Sequence, residues 1–160
     1  MHLVIIGGSD AGISAALRAR EIESTVVVTV IVADAFPNYS ICGLPFYLSG
    51  ETPDWRTLAH RSKEEITAAG ITLLLNHTAQ ELDPAAHTVS VKDLDGRAHT
   101  LSYDRLILAT GAIPLRPAFE GLDFPGVFLL HSMADSFAIH EYLQTCSPRS
   151  ALIVGGGYIG

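Results

Sequence analysis

An unbroken apolar run, Leu3-Val4-Ile5-Ile6, leads straight into Gly7-Gly8. A short run of this kind, closed by a turn, is the pattern of a strand buried on both faces. Small residues from about Asp10 to Glu21 predict a helix, and the β-branched run Val26 to Val32 predicts a second strand. Strand, glycine turn, helix and strand form a β-turn-α-β unit, which implies a parallel sheet with a right-handed crossover. Pro37 to Gly50 reads as irregular, Ser62-Lys63-Glu64-Glu65 as a capping box opening a helix that stops near Gly70, and Ile71 to Leu75 as a third strand. From His87 the pattern alternates through Val89 and Val91, turns at Asp95-Gly96 and resumes from Thr100 to Tyr103, which predicts an antiparallel hairpin inserted into a parallel fold.

Arg105 to Ala109 is a further apolar strand, ending in Thr110-Gly111. Pro114, Pro117 and Pro125 then punctuate a connector that reads as a domain boundary. Past a predicted helix from Met133 to Gln144, Ala151 to Val154 reads as a strand running into Gly155-Gly156-Gly157-Tyr158-Ile159-Gly160. Such a turn needs a helix behind it to supply amides, so the chain is expected to be truncated. The fold class is α/β, a Rossmann-like domain with a parallel central sheet and an antiparallel hairpin insertion, cut before completion.

Both glycine turns point to dinucleotides. In Gly7-Gly8-Ser9-Asp10-Ala11-Gly12, glycine holds the outer positions of G-x-G-x-x-G and Ser9 the middle one. Gly7 permits the tight turn, Gly12 lets helix and strand pack closely, and Ser9 is small enough for a pyrophosphate to approach a helix N-terminus. The second turn matches the pattern in full at Gly155, Gly157 and Gly160. Two such turns imply two nucleotides, and a flavin with a nicotinamide is the economical pair, since hydride passes between them. Residues 1–115 are then the first segment of an FAD-binding domain. Residues 116–160 are a connector and the start of an NAD(P)H-binding domain. An acidic residue about twenty positions past the last glycine ordinarily binds a ribose hydroxyl, but Val32 stands there. Ala33 and Asp34 follow it. Asp34 is either a ribose ligand on a shifted loop or an ordinary turn residue.

Cys42 lies in Asn38-Tyr39-Ser40-Ile41-Cys42-Gly43-Leu44-Pro45-Phe46-Tyr47, shortly after the second strand, where a parallel sheet presents its ligand-binding edge. Pro45 suits an early helix position, which places Cys42 at a helix N-terminus, a setting that lowers thiol pKa values. Phe46 and Tyr47 stand where a second cysteine would close a redox dithiol, so chemistry on this sulfur alone proceeds through a mixed disulfide, a persulfide or a sulfenic acid. Cys146, near a helix end before Pro148, is expected to be structural.

Charge and composition narrow the partners. Ten Lys plus Arg against seventeen Asp plus Glu give a net charge of -7 with no basic cluster, which argues against nucleic acid. No apolar run approaches the roughly 20 residues that span a bilayer, and the start has no basic n-region, so a cytoplasmic location is expected. Seven scattered histidines show no ligand spacing, and no metal site is expected.

Taken together, Val4 to Gly8 with Ala11-Gly12, Ser40 to Pro45, Tyr103-Asp104 with Leu106 to Ala112, and Ile153 to Gly160 make the chain resemble the single-cysteine branch of the pyridine nucleotide-disulfide oxidoreductases, over nearly all its length. That branch includes coenzyme A-disulfide reductases, NADH oxidases and peroxidases, and polysulfide or persulfide reductases. The resemblance implies that Gly7 to Gly12 hold the FAD pyrophosphate, that Ala79 meets the adenine through its backbone, that Thr110-Gly111 close over the flavin side, and that Cys42 faces the flavin ring. It implies NAD(P)H as reductant in the complete protein, a small-molecule disulfide or sulfane substrate such as coenzyme A disulfide, and a homodimer. NADH oxidases and peroxidases of this branch carry histidine where this chain has Asp10, which favours disulfide or polysulfide reduction over peroxide chemistry. Ile41, Val32 and His131 also depart from the branch's usual residues. Arg18 and Arg20 are either attractors for an anionic substrate or part of a solvated helix face.

Overall fold

The computed structural model describes residues 1–118, 120–157 and 159–160. They divide into two compact units, one comprising Met1–Tyr39 with His60–Gly111 and the other Ser40–Ala59 with Ala112–Gly160.

The first unit is built on the predicted parallel sheet. Strands β1 (His2–Ile6), β2 (Val27–Val32), β3 (Ile71–Leu75) and β7 (Arg105–Leu108) lie in the order β3-β2-β1-β7. All three neighbouring pairs are parallel. The inner strands are apolar because both faces are covered. On one face helices α1 (Asp10–Ile22) and α3 (Lys63–Ala68) bury Ile13, Ala16 and Ile66 against Leu3, Ile5, Val28 and Val30. On the other face Val4 and Ile31 pack against Val89 and Val91. Those two valines belong to an antiparallel sheet of β4 (Thr78–Asp83), β5 (Thr88–Lys92) and β6 (Ala98–Ser102). The hairpin of β5 and β6 is the expected one, and its turn closes with Gly96 N–H donating to the Asp93 carbonyl at 3.1 Å.

Strand β4 is an addition to the sequence reading. Its segment, Thr-Ala-Gln-Glu-Leu-Asp, is almost wholly exposed and carries no apolar alternation, so only pairing with β5 makes it a strand. α3 opens as its sequence dictates. The Ser62 hydroxyl accepts from Glu65 N–H at 3.1 Å and the Glu65 carboxylate accepts from Ser62 N–H at 2.7 Å, a complete capping box. β7 is registered at its entry by Asp104, whose carboxylate accepts from His2 N–H at 2.6 Å. That backbone hydrogen bond is the main reason the Asp104 pKa lies below the ordinary carboxylate value.

Arg20 has a structural role. Its guanidinium donates to the carbonyls of Ala69 at 3.1 Å, Val26 at 2.8 Å and Ser24, joining the end of α1 to the entry of β2 and the exit of α3. Arg18 is paired with Glu21 at 3.0 Å on the exposed face. Arg20→Ala leaves three carbonyls without this donor and is expected to lower stability by about 2 kcal/mol, given that hydrogen bonds to charged groups contribute about 1.5–3 kcal/mol. Urea denaturation checks this, and a shift in midpoint of the size typical for exposed substitutions would contradict it.

The second unit carries the cysteine. A 3-10 turn, Ile41–Gly43, leads into α2 (Leu44–Ser49), and a second 3-10 turn spans Trp55–Leu58. α2 packs on α4 (Met133–Cys146): Tyr47 stacks on the His140 ring at 5.0 Å between centroids and meets Phe137 edge-on at 6.1 Å. Two expectations for this unit are corrected. Ala151 to Val154 forms no strand, and Leu152, Ile153 and Val154 are exposed. A strand exists only through its neighbours' hydrogen bonds, and among the described residues none lies beside this segment. Cys146 fills no gap in a core: it is an exposed thiol on the last residue of α4.

Candidate functional site

At the C-terminal edge of the parallel sheet the first glycine turn forms a shallow frame. Gly8 and Gly12 are buried, whereas Ser9, Asp10 and Ala11 between them are exposed. Gly7 has φ +115°, a conformation that L side chains rarely adopt. A Cβ on Gly12 would overlap the Gly7 carbonyl oxygen and lie 3.0 Å from its carbon, so helix and turn approach closer than any side chain permits. Val32, standing at the usual ribose position, is buried at 5% exposure and directs its methyl groups at Gly8, where a Cβ would sit 2.5 Å from one of them. Its place in the site is therefore packing under the turn.

Among the described residues no side chain caps the amides of the first turn of α1. The N-cap residue Ser9 makes no side-chain capping bond, and Ile13 N–H, the first to be satisfied within the helix, donates to the Ser9 carbonyl at 3.0 Å. Unpaired N–H groups at a helix N-terminus, with the dipole behind them, fit the oxygens of a pyrophosphate. The glycine frame is the cradle such a group needs, so the residues present fit an FAD pyrophosphate.

The remaining cofactor candidates from the sequence are distributed around this unit. Ala33 and Asp34 are exposed just past β2. The Asp34 carboxylate accepts from Phe36 N–H at 2.8 Å, the geometry of a turn-forming aspartate. Ala79 packs against the Val4, Ile31, Val89 and Val91 cluster, and the β4–β5 register shifts immediately after it. Thr110 and Gly111 are exposed directly after β7, and Gly111 is left-handed at φ +68°.

Gly155, Gly157 and Gly160 repeat the first turn in miniature. Gly155 has φ +118°, and a Cβ on Gly160 would overlap the Gly155 carbonyl oxygen and lie 3.0 Å from its carbon, as in the pair Gly7 and Gly12. Tyr158 lies outside the described residues.

Cys42 is exposed and free, in the 3-10 turn just ahead of α2, with Pro45 in the first turn of that helix. Gly43 is close-packed: a Cβ there would come within 2.7 Å of Leu58. Ser40 N–H donates to the Leu58 carbonyl at 2.8 Å, and His60 N–H donates to the Asn38 carbonyl at 2.9 Å. Asn38, which sequence reasoning left without a role, is buried at 4% exposure and left-handed at φ +58°. Its N–H donates to the Gly8 carbonyl at 2.7 Å and its side-chain amide to Asp10 Oδ1 at 2.7 Å. His60 Nε2 lies 4.0 Å from the same oxygen. The available signal was the Pro37-Asn38 step, since asparagine after proline marks a turn and tolerates the left-handed region. Among the described residues no group of His, Cys, Asp or Glu is arranged to hold a metal ion, and no helix is long and apolar enough to cross a membrane.

A parallel sheet in the order β3-β2-β1-β7, with a glycine turn at its edge that fits a pyrophosphate and a second such turn later in the chain, defines a fold of the Rossmann class. The chain belongs to the pyridine nucleotide-disulphide oxidoreductase family, whose profile it matches over residues 1–160 and whose members are FAD-dependent. It is 37% identical over 158 residues, 99% of this chain and 35% of the relative, to the CoA-dependent NAD(P)H sulfur oxidoreductase of Pyrococcus abyssi. It is 30% identical over 161 residues, 100% of this chain and 36% of the relative, to an NADH oxidase of Methanocaldococcus jannaschii. Among solved structures it superimposes on an NAD-dependent persulfide reductase from A. fulgidus with a TM-score of 0.85 and 32% identity, covering 90% of this chain and 27% of that one. The chain thus spans about a third of the length of the curated relatives it matches.

Proposed function

We propose that the complete protein is an FAD- and NAD(P)H-dependent oxidoreductase that reduces a disulfide, polysulfide or persulfide, of which coenzyme A disulfide is the type, through Cys42. In this reading residues 1–115 are the first segment of the FAD domain, 116–160 are the connector and start of the NAD(P)H domain, and the protein is a homodimer. The observation that carries the proposal is the free, exposed thiol of Cys42 in the turn that leads into α2. The sulfur-reductase relative in Pyrococcus abyssi supports the substrate class.

Within this scheme the chain's residues have separable tasks. Gly7 to Gly12 seat the pyrophosphate on backbone amides, with Ala33, Asp34 and Ala79 toward the adenosine side and Thr110 and Gly111 toward the flavin side. Gly155, Gly157 and Gly160 are the matching seat for the nicotinamide dinucleotide. Bound FAD supplies hydride acceptance from NAD(P)H and delivery of the electron pair. The Cys42 thiolate attacks one sulfur of the substrate, forms a mixed disulfide and expels the other sulfur as a thiolate. Two electrons and a proton then release the second thiol and restore the Cys42 thiolate, so one NAD(P)H accounts for two thiols. A second reading, supported by the NADH oxidase relative, cycles the same sulfur through a sulfenic acid. Thiol release from coenzyme A disulfide, measured beside oxygen and peroxide consumption, separates them.

The test is a visible absorption spectrum of the full-length protein during NADH titration. A thiolate lying against oxidised flavin gives a long-wavelength charge-transfer band, which is expected here and expected to vanish on alkylation of Cys42. A flavoprotein that reduces normally yet never shows the band would place the sulfur away from the ring and overturn the proposal.

A further inference from the structure

An aspartate in the first turn of a phosphate-binding helix presents a difficulty. Asp10 is the first residue of the 13-residue helix α1, and its short carboxylate belongs among the groups that ordinarily cap first-turn amides and are favoured by the helix dipole. Folded back onto those amides, it would occupy with one anion the place of another. Among the described residues it does otherwise: Asp10 Oδ1 accepts from the side-chain amide of Asn38 at 2.7 Å, and neither Ser9 nor Asp10 caps the turn.

Asn38 is built for this contact. It is buried at 4% exposure, and its backbone is held at both ends, by its N–H on the Gly8 carbonyl and by its carbonyl under His60 N–H. The amide is therefore presented to Asp10 from a fixed position. We propose that Asn38 is a positioning residue that holds the Asp10 carboxylate off the first-turn amides of α1 and so keeps them open for a dinucleotide pyrophosphate. The proposal rests on the reading of this turn as the FAD seat. It assigns the Asp10 side chain no contact with the ligand. His60 Nε2 lies 4.0 Å from the same carboxylate oxygen.

The test is a double-mutant cycle on the full-length protein, reading FAD affinity by quenching of flavin fluorescence on the apoprotein. N38G keeps the left-handed backbone and frees the carboxylate; it is expected to weaken FAD binding roughly five- to tenfold, the size of one capping or dipole contact. In the D10A background the same N38G change is expected to alter affinity by less than about twofold, because no carboxylate is left to compete. Apoprotein melting falls with N38G in either background, so the rescue is seen in affinity and not in stability. An equal loss of affinity with and without Asp10 would overturn the proposal, since Asn38 would then act through the loop's fold alone. Should N38G not fold, N38D keeps size and backbone while facing like charges, and the same cycle with D10A decides. Wild-type protein that binds no FAD removes the reading of the turn, and the inference with it, before any variant is compared.

Discussion

Cys42→Ser in the full-length protein is expected to stop disulfide reduction, by roughly a thousandfold or more as when a nucleophile is removed, while FAD stays bound. A hydroxyl occupies almost the same space as a thiol, so the exposed 3-10 turn and the packing of Leu44 and Tyr47 below it are retained. The chemistry is not retained, because an alcohol is un-ionised at neutral pH and forms no bond equivalent to a mixed disulfide. FAD is retained because Gly7 to Gly12 belong to the compact unit that does not contain Cys42. Thiol release from coenzyme A disulfide with NADH, read beside the flavin absorbance of the purified variant, measures both halves. Turnover at the wild-type rate would remove Cys42 from the mechanism.

The largest structural effect is expected at Gly12. In Gly12→Ala the new methyl is driven into the Gly7 carbonyl, a backbone atom that cannot rotate away. Relief requires that α1 retreat from the turn, which disturbs the packing of Ile13 and Ala16 in the core. A cost of about 3 kcal/mol, the upper end of ordinary overpacking, and loss of FAD binding are expected. Ser14→Ala, at an exposed position on the same helix, is the control and should stay within about 0.5 kcal/mol. Denaturant midpoints of the two variants, with FAD binding by fluorescence, check the contrast. A Gly12→Ala protein as stable as the control would mean that turn and helix are not locked together.

How far each feature could be read in advance depended on whether its cause was local. The β-turn-α-β unit, the Ser62 capping box and the Asp95-Gly96 hairpin turn are produced by residues adjacent in sequence, and each stands where the pattern put it. β4 and the segment 151–154 fail in opposite directions for one reason. A polar stretch became a strand because β5 lies beside it, and an apolar stretch did not because nothing described does. Arg20 illustrates the same limit for a side chain, since its guanidinium clamps carbonyls outside α1, that of Ala69 lying 49 residues away, and the periodicity of α1 shows none of them. Asp34 could be ligand or turn residue by sequence, and the structure adds a bond from Phe36 N–H to its carboxylate.

From the amino-acid order alone came the α/β class, both glycine turns and the single sulfur at position 42, because a tight turn, a buried strand and a nucleophile each declare themselves through residue type and short-range spacing. Tertiary structure alone decided that Val32 packs under Gly8, that Cys146 is exposed, and that Asn38 bonds to the Gly8 carbonyl and to the Asp10 carboxylate. These relations bring together atoms up to tens of residues apart, and close approach across such distances is set by the packing of the whole sheet rather than by any window of the chain.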